Sequence, residues 1–295
     1  MINLVQTQIM YRVARISVTQ LSADTWQLQT SNVRRFSFLS AHGVPMPVTI
    51  TLDGFSFQAN LGVAPSSFCQ TAGAFTPWAV CDDAGKWMQS ERSPLTFGPF
   101  RTVWVKQVSL IVGTQSADPS DTAWLLQEAA YWSQYWYYQG RGYMNIYTDN
   151  EYLNMTHSTS VRGSLPEENV LVFGDPAVNS FTAAVLANAR SPLQLTPGSS
   201  SFTIGPRTFD QPCQGVLSLL PHPVYSATNL AGLVMGTDKC GMLDALRQLP
   251  MKSGELVPDW VVTSPDARWM GAGGYLAAGY WGTSWQWEPL TSYVT

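Results

Sequence analysis

Charge is scarce in this sequence. Asp, Glu, Lys and Arg make up 12% of its 295 residues, about half the ~25% usual in globular domains. The surface must therefore draw its polarity from Gln, Asn, Ser, Thr and backbone groups, which suits a secreted or assembly-embedded protein. Lysine is nearly missing: of 16 basic residues only Lys86, Lys106, Lys239 and Lys252 are lysines, and the net charge is −4. Duplex nucleic acid requires clustered cations to displace its counterions. The only adjacent basic pair is Arg34-Arg35, read as an edge-strand charge, so nucleic acid is excluded as a partner. No run of eighteen apolar residues occurs, and no membrane insertion is expected. The opening Met1-Ile2-Asn3-Leu4-Val5 lacks the basic segment and unbroken apolar stretch of a signal peptide, so none is expected in this chain.

Histidine and cysteine are also few. The histidines are His42, His157 and His222, and the cysteines Cys69, Cys81, Cys213 and Cys240 have spacings that match no zinc pattern. Neither a metal nor a cofactor is expected. Cys69 and Cys81 flank a loop, which fits a local disulfide or a pair of buried thiols equally well. Cys240 follows Lys239 at a helix start, where a thiolate would be stabilised; the competing reading is a small residue packed under the first turn. Asn154-Met155-Thr156 is a lone glycosylation sequon.

What is present is a large apolar inventory, 45% of the chain, enough for a sizeable core. Residues 1–95 read as an antiparallel β-rich region. Thr25–Thr30 and Pro47–Leu52 alternate with period two, and Asp53-Gly54 marks a hairpin turn before Phe55-Ser56-Phe57. From residue 96 the pattern changes. Val108–Val112, Asn169–Phe173, Leu230–Met235 and Asp259–Thr263 are nearly continuous apolar runs, as in strands buried on both faces. Helix-compatible segments follow each: one from Pro119 with Asp118 as cap and Leu125, Ala129, Trp132 and Trp136 as its stripe, then Ala177–Ala189, Met242–Leu249 and Met270–Tyr280. The series predicts an α/β domain over 96–295, a mostly parallel sheet flanked by helices, with Val108–Val112, Val170–Phe173, Leu233–Met235 and Val261–Val262 adjacent. A Pro/Gly/Ser-rich excursion at 191–223 should hold short antiparallel strands.

The ordered series Ser31–Phe36, Thr49–Gly54, Gly98-Pro99, Ile111–Thr114, Asn169–Gly174, Val234–Asp238 and Pro258–Val262 resembles the C-terminal region of large secreted prolyl-oligopeptidase-like α/β-hydrolase proteins of fungi and bacteria. The resemblance spans roughly residues 25–282. Such hydrolases carry a Gly-x-Ser-x-Gly elbow that exposes the nucleophile, and no such motif occurs here. The resemblance therefore implies the tail portion of such a protein, with no carry-over of activity.

Catalytic residues are accordingly assigned to none. His222, in Pro221-His222-Pro223, is the best candidate base, yet Ser218, four residues before it, lies in a strand-like run. His42 and His157 read as loop residues. Thr114, Asp175, Thr237 and Asp238 follow buried strands and mark where a ligand would collect at the carboxyl edge of the sheet. Gly271-Ala272-Gly273-Gly274 reads as close helix–sheet packing. Of the aromatics, those from Trp124 to Tyr138 are read as core, while Trp281, Trp285 and Trp287 are candidate interface anchors or packed core. The expected function is a non-catalytic structural or interaction module decorating a larger extracellular or particle-surface assembly, such as a viral surface, with a protein partner. Glycan binding through Trp285 and Trp287 is one alternative, and a secreted serine hydrolase with a non-standard nucleophile another.

Overall fold

The computed structural model describes residues 2–39, 47–59, 67–70, 77–81, 85–157, 168–187, 191–195 and 200–295. Two compact units make up the chain, Met1–Trp87 and Met88–Thr295.

In the first unit, β1 (Ile2–Thr7), β4 (Val33–Phe38), β7 (Ser67–Gln70) and β8 (Trp78–Val80) form one sheet in that order. A second sheet holds β2 (Arg15–Gln20), β3 (Thr25–Ser31), β5 (Val48–Leu52) and β6 (Phe55–Ala59). The first sheet is antiparallel, but β3 and β5 run parallel, a correction to the purely antiparallel expectation. The cause is topological: the chain leaves for β4 in the other sheet before returning as β5, a crossover that permits parallel pairing. Asp53 (φ 47°) and Gly54 (φ 90°) both adopt positive φ, the requirement of the two-residue turn joining β5 to β6. The Asp53 carboxylate accepts from the Thr30 N–H at 2.8 Å and the Trp78 indole at 2.9 Å. Phe36 stacks on Phe68, ring centres 5.3 Å apart, within a core shared with Leu28, Ile50 and Leu52. Arg34 and Arg35 are buried on an inner strand rather than placed on an edge. Arg35 is accommodated by donating to Gln6 Oε1 at 3.2 Å and lying 4.5 Å from the Trp87 ring centre. Cys69 and Cys81 form a disulfide.

The second unit is organised by an eight-stranded sheet. Its order is β10 (Asn145–Thr148), β9 (Val108–Val112), β11 (Asn169–Phe173), β16 (Leu230–Gly236), β15 (Gly215–Pro221), β17 (Trp260–Thr263), β18 (Tyr275–Trp281) and β19 (Trp287–Val294). The first four are parallel, while every pairing from β16 to β19 is antiparallel. The expected mostly parallel, helix-flanked sheet is thus replaced by a mixed sheet in a β-rich chain. The strand responsible is β15, which inserts between β16 and β17. Its run Val216-Leu217-Ser218-Leu219-Leu220 is buried throughout, so continuous apolar character reports burial on both faces and not strand direction. Trp260–Thr263 points the same way as β16 but is not its neighbour. Most of the helix expected over Met270–Tyr280 is instead the strand Tyr275–Trp281: pairing with β17 and β19 overrides the local preference of its Ala residues.

Among the described residues five α-helices accompany the sheet: α1 (Pro119–Gly140), α2 (Asp149–His157), α3 (Ser180–Leu186), α4 (Lys239–Leu246) and α5 (Ala267–Met270). Asp118 Oδ1 accepts the Ser120 N–H at 2.8 Å and Pro119 occupies the first turn, so α1 starts as its sequence signals. Leu125, Ala129 and Trp132 are its buried stripe. Between α3 and β15 the excursion forms a small antiparallel sheet of β12 (Leu193–Leu195), β13 (Phe202–Ile204) and β14 (Arg207–Phe209). The outermost strand β19 carries Pro289, and its register against β18 slips between Gly279 and Trp281. A buried ion pair, Arg92 with Asp259, fastens the segment before β9 to β17 and β18. Its guanidinium also donates to the carbonyls of Thr96, Gly98 and Trp281, and Asp259 accepts the Trp281 N–H at 2.8 Å.

Candidate functional site

In an open sheet with parallel strands, ligands collect where neighbouring connections leave in opposite directions. Here that point lies between β9, whose chain proceeds to β10 on one side, and β11 on the other. The crevice is filled by the protein itself. Asn179 Nδ2 donates to the carbonyls of Phe173 (2.9 Å) and Ile111 (3.3 Å), while its Oδ1 accepts the Phe181 and Thr182 N–H groups and caps α3. A Cβ on Gly113 would stand 2.4 Å from the Val178 carbonyl oxygen, so glycine is required for the β11–α3 loop to press into the gap. Beside it, Asp149 at the start of α2 is fully buried. Its carboxylate accepts from Thr114 Oγ1 (2.6 Å), Gln115 Nε2 (3.2 Å), and Ser180 N and Oγ (both 2.7 Å). Burial alone would push its pKa up, but these donors outweigh that and hold it below the usual carboxylate range.

The open cleft is displaced by one strand, to the carboxyl ends of β11 and β16 between the first turns of α1 and α4. It encloses about 180 Å³ and is lined by Asp121, Trp124, Asp175, Thr237, Asp238 and Lys239, among others. Three of the four sheet-edge residues singled out in the sequence are thus brought together, and Thr114 belongs to the neighbouring Asp149 network. Each polar group already has work inside the fold. Lys239 Nζ pairs with Asp121 Oδ1 at 2.6 Å, which with the Ser116 hydroxyl lowers the Asp121 pKa, and lies 5.6 Å from the Trp124 ring centre. Asp175 accepts the Ala177 N–H at 2.7 Å. Thr237 donates to the Gln211 carbonyl at 2.8 Å. Asp238 accepts the Gly241 N–H at 2.7 Å as the α4 cap and the Cys213 N–H at 2.9 Å. Cys240 is neither a thiolate nor a simple packing residue: it is disulfide-bonded to Cys213. Cys213, Asp238 and Cys240 lie close enough to suggest a metal set, but both sulfurs are spent on that bond.

His222 is far from being an exposed base. Its Nδ1 accepts the Val224 and Tyr225 N–H groups at 3.2 Å, and Nε2 faces the Tyr152 hydroxyl at 3.5 Å. Burial drives its pKa down to about 3. Burial also raises the pKa of Tyr152 and of Glu168, whose Oε2 accepts from Ser109 at 2.7 Å. Ser218 is buried in mid-sheet, and its hydroxyl has no hydrogen-bond partner among the described residues. His42 lies outside the described residues, as does the side chain of His157; the backbone of His157 ends α2.

The three C-terminal tryptophans are placed within the second unit. Trp281 is buried in β18, donates to the Leu219 carbonyl at 2.9 Å and stacks on Trp260. Trp285 is buried beneath the Arg92 guanidinium, 4.8 Å from its ring centre. Trp287 is half-buried and packs against Gly205. Of the α1 aromatics, Trp132 is buried, whereas Tyr131, Tyr137 and Tyr138 are exposed. Sequence reasoning missed the Asp149 hub, Asn179, and above all Trp269. The indole of Trp269 is 87% exposed and Met270 beside it 62% exposed, in the short helix α5 that follows β17 at this same carboxyl edge. Only the helix start at Ser180 had a local signal, the capping residue Asn179.

No helix among the described residues is long and apolar enough to cross a membrane. No family model and no solved structure matches the chain. It is similar to an uncharacterized secreted protein of the fungus Arthroderma benhamiae (strain ATCC MYA-4681 / CBS 112371), 27% identical over 296 residues. The match covers 96% of this chain but 29% of that protein, so the chain spans under a third of its relative's length, and the similarity gives no hydrolase assignment.

Proposed function

We propose that the chain is a non-catalytic interaction module of a larger secreted protein, comparable to the tail portion of prolyl-oligopeptidase-like proteins, and that it docks a protein partner through the carboxyl edge of its mixed sheet. The observation that carries this reading is the pair Trp269 and Met270. A tryptophan left 87% exposed beside an exposed methionine has no role inside the fold, and these residue types are the anchors enriched at protein interfaces. The internal pairing of Asp121, Asp175, Thr237, Asp238 and Lys239 on the same edge supports binding over chemistry. The length of the secreted relative supports a module within a larger protein.

Two measurements test the reading. Incubation with fluorophosphonate and chloroacetamide probes, read by intact mass, should give no stoichiometric adduct; one adduct per chain on a single serine would establish the hydrolase alternative instead. A photo-crosslinking amino acid at position 269, introduced into the secreted protein in its natural medium, should yield one discrete protein adduct that Met270→Ser weakens. A crosslink confined to solvent or to scattered proteins would overturn the docking role.

A further inference from the structure

A second concavity lies in the second unit, away from the carboxyl-edge cleft. One wall is the 3-10 helix Phe100–Val105, which buries Phe100 and Val103; with those two turned inward, Arg101 and Trp104 are left to line the concavity. The end of α1 adds Trp136 and Gln139, and the turn after Leu249 adds Lys252. The groove encloses about 520 Å³, within the ~300–1,000 Å³ typical of small-ligand sites. Trp104 and Trp136 are stacked, ring centres 4.4 Å apart and planes at 19°. A Cβ on Gly140 would stand 2.6 Å from the Trp136 ring, so the pair is wedged and its indoles are already ordered before anything binds.

The electrostatics are specific. On a chain of net charge −4, the lining contains two cations, Arg101 and Lys252, and no carboxylate. Arg101 is exposed and has no ion-pair partner among the described residues. The Lys252 ammonium lies 5.8 Å from the Tyr135 ring centre, and Glu255, which accepts the Lys252 backbone N–H at 3.0 Å, is outside the lining. A guanidinium presents paired N–H donors that match a carboxylate, while flat aromatic surface accepts the apolar C–H face of a sugar ring.

We propose that this groove binds an acidic oligosaccharide built of uronic acids. Carboxylates of the ligand meet Arg101 and Lys252, a sugar face lies against the tryptophan pair, and hydroxyls reach Gln139 and its polar neighbours. An acidic peptide is less well served: peptides add a strand to a free sheet edge or lay an amphipathic helix in an apolar trough, and these walls are a 3-10 helix, a helix end and a turn. The inference does not rest on the docking role of Trp269, and either can fail without the other.

Calorimetric titration of the intact chain with trigalacturonate tests it, with maltotriose and a hexaglutamate peptide as comparisons. Trigalacturonate should bind, with affinity falling as salt rises. Arg101→Gln and Lys252→Gln, both at surface positions, should each weaken it roughly tenfold. No binding at millimolar ligand, equal affinity in Arg101→Gln, equal affinity for neutral maltotriose, or tighter binding of hexaglutamate would each overturn the proposal.

Discussion

The buried imidazole of His222 makes the stability of the second unit sensitive to acid. His222 is held neutral, its pKa pushed down to about 3 by burial, against about 6.5 in an unfolded chain. Between those values the unfolded state binds the extra proton. The stability His222 contributes is therefore complete above pH 6.5 and is lost as pH falls toward 3, by about 1.4 kcal/mol per pH unit. Glu168 acts in the opposite sense. Burial raises its pKa, so its contribution is present at low pH and is lost as pH rises through the folded value. Denaturant melts from pH 7 to pH 5 should show stability falling in the natural protein and a flatter profile in His222→Gln, whose amide oxygen can still accept the Val224 and Tyr225 N–H groups. An unchanged slope in the variant would place the acid sensitivity elsewhere.

At the scale of elements, what the sequence made legible was what is encoded locally. Asp118, Pro119 and Asp121 mark the start of α1 because capping involves only neighbours in the chain, and Leu125 falls on its buried stripe. Leu125→Ala should cost about 2–5 kcal/mol in urea unfolding; a loss under about 0.5 kcal/mol would mean that face packs against nothing. The excursion at 191–223 was expected to hold antiparallel strands, and β15 is one; its place between β16 and β17 was illegible because a strand buried on both faces does not name its neighbours. The strand Tyr275–Trp281 was illegible because its partners β17 and β19, not its own Ala residues, decide its conformation. The site divides in the same way. Asp175, Thr237 and Asp238 were located by following the ends of buried strands. The Lys239–Asp121 pair joins residues far apart in the chain, and the exposure of Trp269 depends on what fails to cover it.

For the whole molecule, each unit has its own hydrophobic core and its own disulfide. Calorimetry should resolve two unfolding transitions. Paired Cys69→Ser and Cys81→Ser substitution should lower only one of them, and Cys213→Ser with Cys240→Ser only the other. The second bridge closes a loop with sequence separation 27, for which chain entropy gives roughly 3–4 kcal/mol. One transition that moves with either pair would show that the units melt as one. The outer edge of the large sheet has a consequence at the same scale. Pro289 has no N–H to offer, and the slipped register of β19 breaks the even row of donors and acceptors that another chain would need to join. Along that edge the sheet is a poor seed for fibre growth, so crowding many copies of the chain together gives them no ready template there on which to polymerise.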